Sequence, residues 1–295
     1  MQKNKFKDFL KLHFIVFIWG FTAVLGKLIS IEAIPLTWFR ITIASIFLFV
    51  YLGFKQVSFK ISPKKMLHYA IGGFIIGLHW ITFFYAIKIS NVSITLAAMS
   101  TGALFASFLE PIFFKTKLKL YEILLSLIIV IGLIIINKVS PQYGLGILVA
   151  LFSSFLSALF TVINANFIKN NNASVITFYE LLFASLLISI GLLVQNDFSY
   201  DFFKLSQNDW LFIGILGTVC TAYALTASTE LLKKISPFSI MITVNLEPVY
   251  GIILALLVFK DSENMNPAFY YASILILSVV LLNGYIKSKN TSHES

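Results

Sequence analysis

The sequence predicts an all-α integral membrane protein: ten transmembrane helices forming two inverted five-helix repeats, with both termini cytoplasmic. Three observations carry that prediction. Of 295 residues, 58% are hydrophobic and 12% charged, with 30 Phe, more apolar surface than one soluble core can hide, so lipid is the expected solvent. The apolar residues fall into blocks near the ~20 residues a spanning helix needs. A passage of the second half, Ile235 to Phe259, also echoes one in the first, Ile89 to Phe113.

The chain opens on a basic stretch that includes Lys7 and Lys11, followed by an apolar run from Leu12 to Ile29. No A-x-A site follows it, so an uncleaved first helix is expected. Further apolar spans lie at about 35 to 54, 66 to 87, 91 to 114, 119 to 137, 144 to 168, 174 to 195, 210 to 232, 236 to 259 and 267 to 286. The joining segments are short. The longest, Gln195 to Asp209, is polar and aromatic and holds no inserted domain; Asp197, Asp201 and Asp209 in it read as a solvated loop rather than a metal site.

Orientation follows from the basic residues. With a cytoplasmic amino terminus, the inside segments carry Lys7, Lys11, Lys55, Lys60, Lys64, Lys65, Lys169, Lys233 and Lys234 among others. The outside carries Lys27, Lys88, Lys138, Lys204 and Lys260. That bias places both termini inside. The net charge of +9 is spread between apolar segments rather than gathered in a patch, so it reads as a topology signal and no nucleic-acid partner is expected. Cys220, the single cysteine, lies in an apolar segment and permits no intramolecular disulfide.

Aligning Ile89-Ser90 with Ile235-Ser236 sets Ser93 opposite Ser239 and Thr101-Gly102 opposite Glu247-Pro248. Earlier in each half, Thr37-Trp38-Phe39-Arg40 matches Thr177-Phe178-Tyr179-Glu180. The expected halves are residues 1–139 and 140–295. Five helices in each is an odd number, so the second half is flipped relative to the first, and a central site between them would open alternately to either side. That is the plan of a transporter.

Four pieces then carry a family resemblance: Trp19-Gly20, the P-x-x-W-x-R of Pro35 to Arg40, GTVCTAY from Gly217 to Tyr223, and Ser239 followed by Glu247-Pro248. In this order within two halves, the chain resembles the ten-helix EamA-type members of the drug/metabolite transporter superfamily over nearly its whole length. The resemblance implies a multi-pass protein of the cell (inner) membrane that exports amino acids and other small metabolites through a central cavity lined by helices 1, 3, 4, 6, 8 and 9. Family members commonly have a proline in helix 4 where this chain has Gly102; here Pro111 follows instead, so Pro248 and Pro111 are the expected helix kinks.

Depth sorts the polar residues. Glu247 lies near the middle of helix 9, where a carboxylate is expensive. It is expected to meet a substrate amine or exchange a proton; the alternative is a packing acid bound to a neighbouring helix. Asn245, two residues earlier, points about 200° away from it. His79 and Trp80 stand near the middle of helix 3, His79 as a titrating group, a substrate hydrogen-bonder or an interhelix hydrogen-bonder, and Trp80 as a stacking surface. Trp19, Thr22, Thr101, Asn164 and Tyr223 complete the expected cavity wall. Arg40 and Glu180, in matching places of the repeats, are expected as gates or helix anchors near opposite faces, about 12 Å apart in level. Glu110 and Glu230, near cytoplasmic helix ends, are expected to pair with nearby lysines.

No H-E-x-x-H, G-x-S-x-G or Walker motif occurs, and no cofactor or metal ion is expected. The expected partners are lipid and a small-molecule substrate, with proton coupling open and transport secondary or facilitated. A membrane-embedded transferase would need an acid or histidine cluster at one face. A structural membrane subunit would need no polar midplane.

Overall fold

The computed structural model describes residues 2–115 and 120–291. The described residues form helices and turns. Eight helical segments are long and apolar enough to cross a bilayer, and two shorter apolar stretches, Leu127–Val139 and Pro267–Asn283, accompany them. In order the helices are α1 (Gln2–Leu28), α2 (Ala33–Phe54), α3 (Pro63–Ile89), α4 (Val92–Met99), α5 (Gly102–Phe114), α6 (Leu120–Val139), α7 (Gly144–Phe167) and α8 (Ala173–Val194). Then come α9 (Gln207–Ile215), a π-helical stretch over Leu216–Tyr223, α10 (Ala224–Leu231), α11 (Pro237–Val244), α12 (Glu247–Phe259) and α13 (Pro267–Thr291).

Short polar side chains set where the helices begin. Ser62, Asn91, Asn172, Ser206 and Ser236 each accept a hydrogen bond from a backbone N–H of the following turn, satisfying donors that a helix start leaves free. Around the outside, large apolar side chains such as Phe49, Leu186, Leu257 and Tyr271 are exposed, the surface a lipid solvent requires. Inside, α3 packs along α7 and α8, α2 against α8, and α1 along α12, while α6 pairs with α13. Where α3 meets α8, glycines let the backbones close: a Cβ on Gly73 would collide with the Glu180 carbonyl oxygen. Gly214 has open space around it.

Two interrupted helices cross at the centre. α4 gives way to α5 at Ser100–Thr101, and α11 to α12 at Asn245–Leu246. In the second case Pro248, in the first turn of α12, has no N–H to return to Val244. In the first case hydroxyls do the work. Ser100 Oγ donates to Ala97 O at 2.9 Å and Thr101 Oγ1 to Ala98 O at 2.8 Å, competing with the backbone for those carbonyls. Pro111, the other expected kink, lies inside α5, which continues past it to Phe114, and the interruption lies earlier.

The two interrupted helices run in opposite directions. Glu263, beyond the end of α12, accepts from Val92 N at 3.0 Å and Ser93 N at 2.9 Å at the start of α4. Glu110, near the end of α5, accepts from Phe238 N at 2.8 Å at the start of α11. Each start therefore lies beside the finish of the other, as two inverted repeats require.

Candidate functional site

An internal space of about 80 Å³ lies where these interrupted helices meet α1, α2, α3, α7 and α10. It has room for several water molecules or a small solute. Glu247, Pro248, His79, Trp80, Trp19, Thr22 and Asn164 all line it. Arg40, expected as a gate or helix anchor, lines the same space.

Several of these side chains are held by identifiable contacts. Trp19 Nε1 donates to Cys220 O at 3.1 Å, tying α1 to the π-helical stretch. His79 Nδ1 lies 3.0 Å from Ser153 O, and Ser153 Oγ donates to His79 O at 2.8 Å. A carbonyl can only accept, so Nδ1 carries the proton and Nε2 is left as an acceptor. His79 is thus an interhelix hydrogen-bonder that also borders the cavity. Asn164 Nδ2 donates to Glu180 Oε1 at 3.0 Å.

Arg40 is 1% exposed although it is charged. Its Nε donates to Thr221 Oγ1 at 2.5 Å, and its guanidinium carbon stands 4.4 Å from the centre of the Trp80 ring. Thr221 can take this role because of the π-helical turn: its hydroxyl donates to Leu216 O at 2.6 Å, a carbonyl that the widened winding leaves within reach. Gly217 permits the close approach, since a Cβ there would lie 2.8 Å from Ile43 Cγ2 and 3.0 Å from Arg40 O. Arg40 and Glu247 line the same cavity.

Three residues expected in the cavity wall, and Glu180, expected as a gate or helix anchor, lie outside the lining. Tyr223 is 44% exposed on the outer surface; Thr221, two residues before it, takes the inward position. Thr101 is buried, its Oγ1 3.1 Å from Ser154 Oγ, and sits at the α4–α5 interruption against α7 rather than lining the space. Asn245 is buried at the end of α11, outside the lining, as its angular separation from Glu247 requires. Glu180 is fully buried behind Asn164, against Gly72 and Gly73 of α3. Near the surface, Glu230 pairs with Lys233 at 3.0 Å.

Hydroxyls not singled out in the sequence extend the lining. Ser157 and Thr161 on α7 lead to Asn164, and Ser228 and Thr229 on α10 face the same space. Ser157, Thr161 and Asn164 recur at helical spacing, a polar stripe that periodicity could have revealed. This polar lining reaches Leu232, close to where Lys234 pairs with Asp8 of α1 at 3.0 Å, on the side of the amino terminus. At the opposite side Glu263 joins Lys27 at 2.7 Å, and Asp209 accepts from Ser30 N and Oγ at 2.8 and 2.7 Å.

A two-part match decides the family. The EamA-like transporter family matches residues 10–138 and 144–285. The chain belongs to the EamA-like transporter family. Its multi-pass helical build, lipid environment and small-molecule transport fit that membership. A solved structure, described only as "Crystal structure of protein", superposes on this EamA-like chain with a TM-score of 0.69 at 15% identity. It covers 93% of this chain and 95% of that one, a likeness of fold. No curated protein matches this EamA-like chain.

Proposed function

We propose that this protein is a secondary or facilitated transporter that exports small metabolites such as amino acids across the cell (inner) membrane. It would work by alternating access around the central cavity, through ten membrane-spanning helices with both termini cytoplasmic and repeats at residues 1–139 and 140–295. The observation that carries this reading is the pair of opposite charges, Arg40 and Glu247, in one enclosed space between two antiparallel interrupted helices. Buried charge is costly in a membrane and is kept where a pathway needs it. Glu247 meets the substrate's amine or exchanges a proton, while His79, Trp80, Trp19, Thr22 and Asn164 shape the wall.

Substituting Glu247→Gln tests the reading in a cell-based efflux assay across toxic amino acids and analogues. The variant should reach the membrane in normal amount and lose flux. Wild-type flux in the variant would remove Glu247 from the mechanism. No movement of any compound by the unaltered protein, in cells or vesicles, would overturn transport itself.

A further inference from the structure

An arginine buried in a membrane protein normally finds a carboxylate, because an uncompensated buried charge is expensive. Arg40 has none in direct contact: among the described residues, the ion pairs involve other groups. Its Nε is hydrogen bonded to Thr221, its plane is held against Trp80 with Phe84 at 5.4 Å, and Nη1 has no hydrogen-bond partner. The side chain is fixed at one edge and one face, leaving its outer nitrogens uncommitted beside the cavity. A guanidinium edge held in this way matches the two oxygens of a planar carboxylate, and its plane is set before any ligand arrives.

Besides His79, whose ring is bonded to Ser153, the same lining holds one carboxylate, Glu247. The two charges share a cavity of about 80 Å³ without forming an ion pair. A ligand bearing one negative and one positive group would neutralise both. A phosphate dianion would add excess negative charge beside Glu247, and a simple amine would leave Arg40 uncompensated.

We propose that Arg40, held by Thr221 and Trp80, is the carboxylate anchor of the cavity, so that the ligand is a small zwitterion with its carboxylate on Arg40 and its ammonium on Glu247. This rests on the reading of the cavity as a transport site and assigns Arg40 a role beyond gating. Thr221 and Trp80 are then positioning residues: they orient the guanidinium.

The full-length protein in lipid nanodiscs tests this by calorimetric titration. The probes are the standard amino acids, each in turn, then the carboxamide and the decarboxylated amine of every one that binds, and inorganic phosphate. At least one amino acid should bind, with its carboxamide and its amine at least about tenfold weaker. Arg40→Lys, which keeps charge but loses the fork, should weaken the acid by at least about tenfold and leave the carboxamide nearly unchanged. If that variant does not fold, the analogue series on the unaltered protein decides alone. Equal affinity for acid and carboxamide, phosphate binding tighter than any amino acid, or no amino acid binding would each overturn the anchor. Efflux in cells separates the two failures. Transport of a compound without a carboxylate would refute the anchor and leave the transporter reading standing, whereas no transport of any compound would refute that reading first.

Discussion

Glu263 Oε1 accepts from Lys27 Nζ at 2.7 Å while the same carboxylate holds Val92 N, Ser93 N and Ser93 Oγ, the last at 2.7 Å. One fully buried acid therefore joins α1, the start of α4 and the segment before α13. A carboxylate that accepts at both oxygens cannot be replaced by an amide without presenting N–H to N–H. Glu263→Gln should cost about 3 kcal/mol, from two or more hydrogen bonds to a charged group. Lys27→Met removes the bonds to Glu263 and Ser262 Oγ but leaves the carboxylate its three helix-start donors, so it should cost less than Glu263→Gln. Thermal unfolding in detergent measures both, and equal losses would mean that the helix-start bonds contribute nothing.

Glycine packing gives a graded series. A Cβ at Gly73 meets the backbone of Glu180 and, at 3.1 Å, Ala184 N, neither of which can move aside. At Gly77 the nearest atom is Ala184 Cβ at 3.3 Å, and at Gly191 there is nothing within 4 Å. Gly73→Ala should destabilise by about 1–3 kcal/mol, Gly77→Ala by less, and Gly191→Ala by nothing. It could even gain up to about 1 kcal/mol from helix propensity. A melting series in any other order would break the link between the α3–α8 approach and stability.

Membrane class, repeat register and the Glu247–Pro248 centre were legible because each rests on local chemistry: length, alternation of apolar blocks, and a carboxylate with a proline where neither sits easily. The interruption in the first half was not. Proline is the usual signal for a broken helix, and it pointed to Pro111, but Ser100 and Thr101 break the helix through hydroxyl bonds that any helix could contain. Tyr223's outward position and Arg40's place in the cavity wall have a related cause. A π-helical stretch changes the winding over Leu216–Tyr223, turning Thr221 inward and Tyr223 out. Arg40 then follows Thr221, because its long side chain goes where its partner stands, not to the level of its Cα. Glu263 lies in a connecting segment, and only the folded chain brings it to α4.

Glu180 depends on Asn164. Among the described residues, the Asn164 amide is the hydrogen-bond donor recorded for this fully buried carboxyl, and Oε2 has no partner. Asn164→Ala would leave both oxygens unserved and open a gap at the cavity wall, at a cost of about 1–3 kcal/mol. Glu180→Gln keeps the shape and a carbonyl acceptor for Asn164, so it should cost less. The comparison is a pair of unfolding curves in the same lipid. Greater loss in Glu180→Gln than in Asn164→Ala would show that the charge of Glu180, rather than its hydrogen bond, holds α7 to α8.

His79 and Ser153 bond reciprocally across α3 and α7: ring to carbonyl at 3.0 Å one way, hydroxyl to carbonyl at 2.8 Å the other. Ser153→Ala removes the hydroxyl and leaves the ring's bond to the Ser153 carbonyl in place. Hydrogen bonds between membrane helices average about 0.6 kcal/mol and reach about 1.7, so Ser153→Ala should cost about 1 kcal/mol. His79→Ala should cost more, because it also empties part of the wall beside Phe83. Flux separates the two roles. If His79 only joins helices, Ser153→Ala and His79→Ala should reduce flux only as far as they reduce folded protein in the membrane. Flux lost from His79→Ala at unchanged protein level would assign its free Nε2 to the substrate.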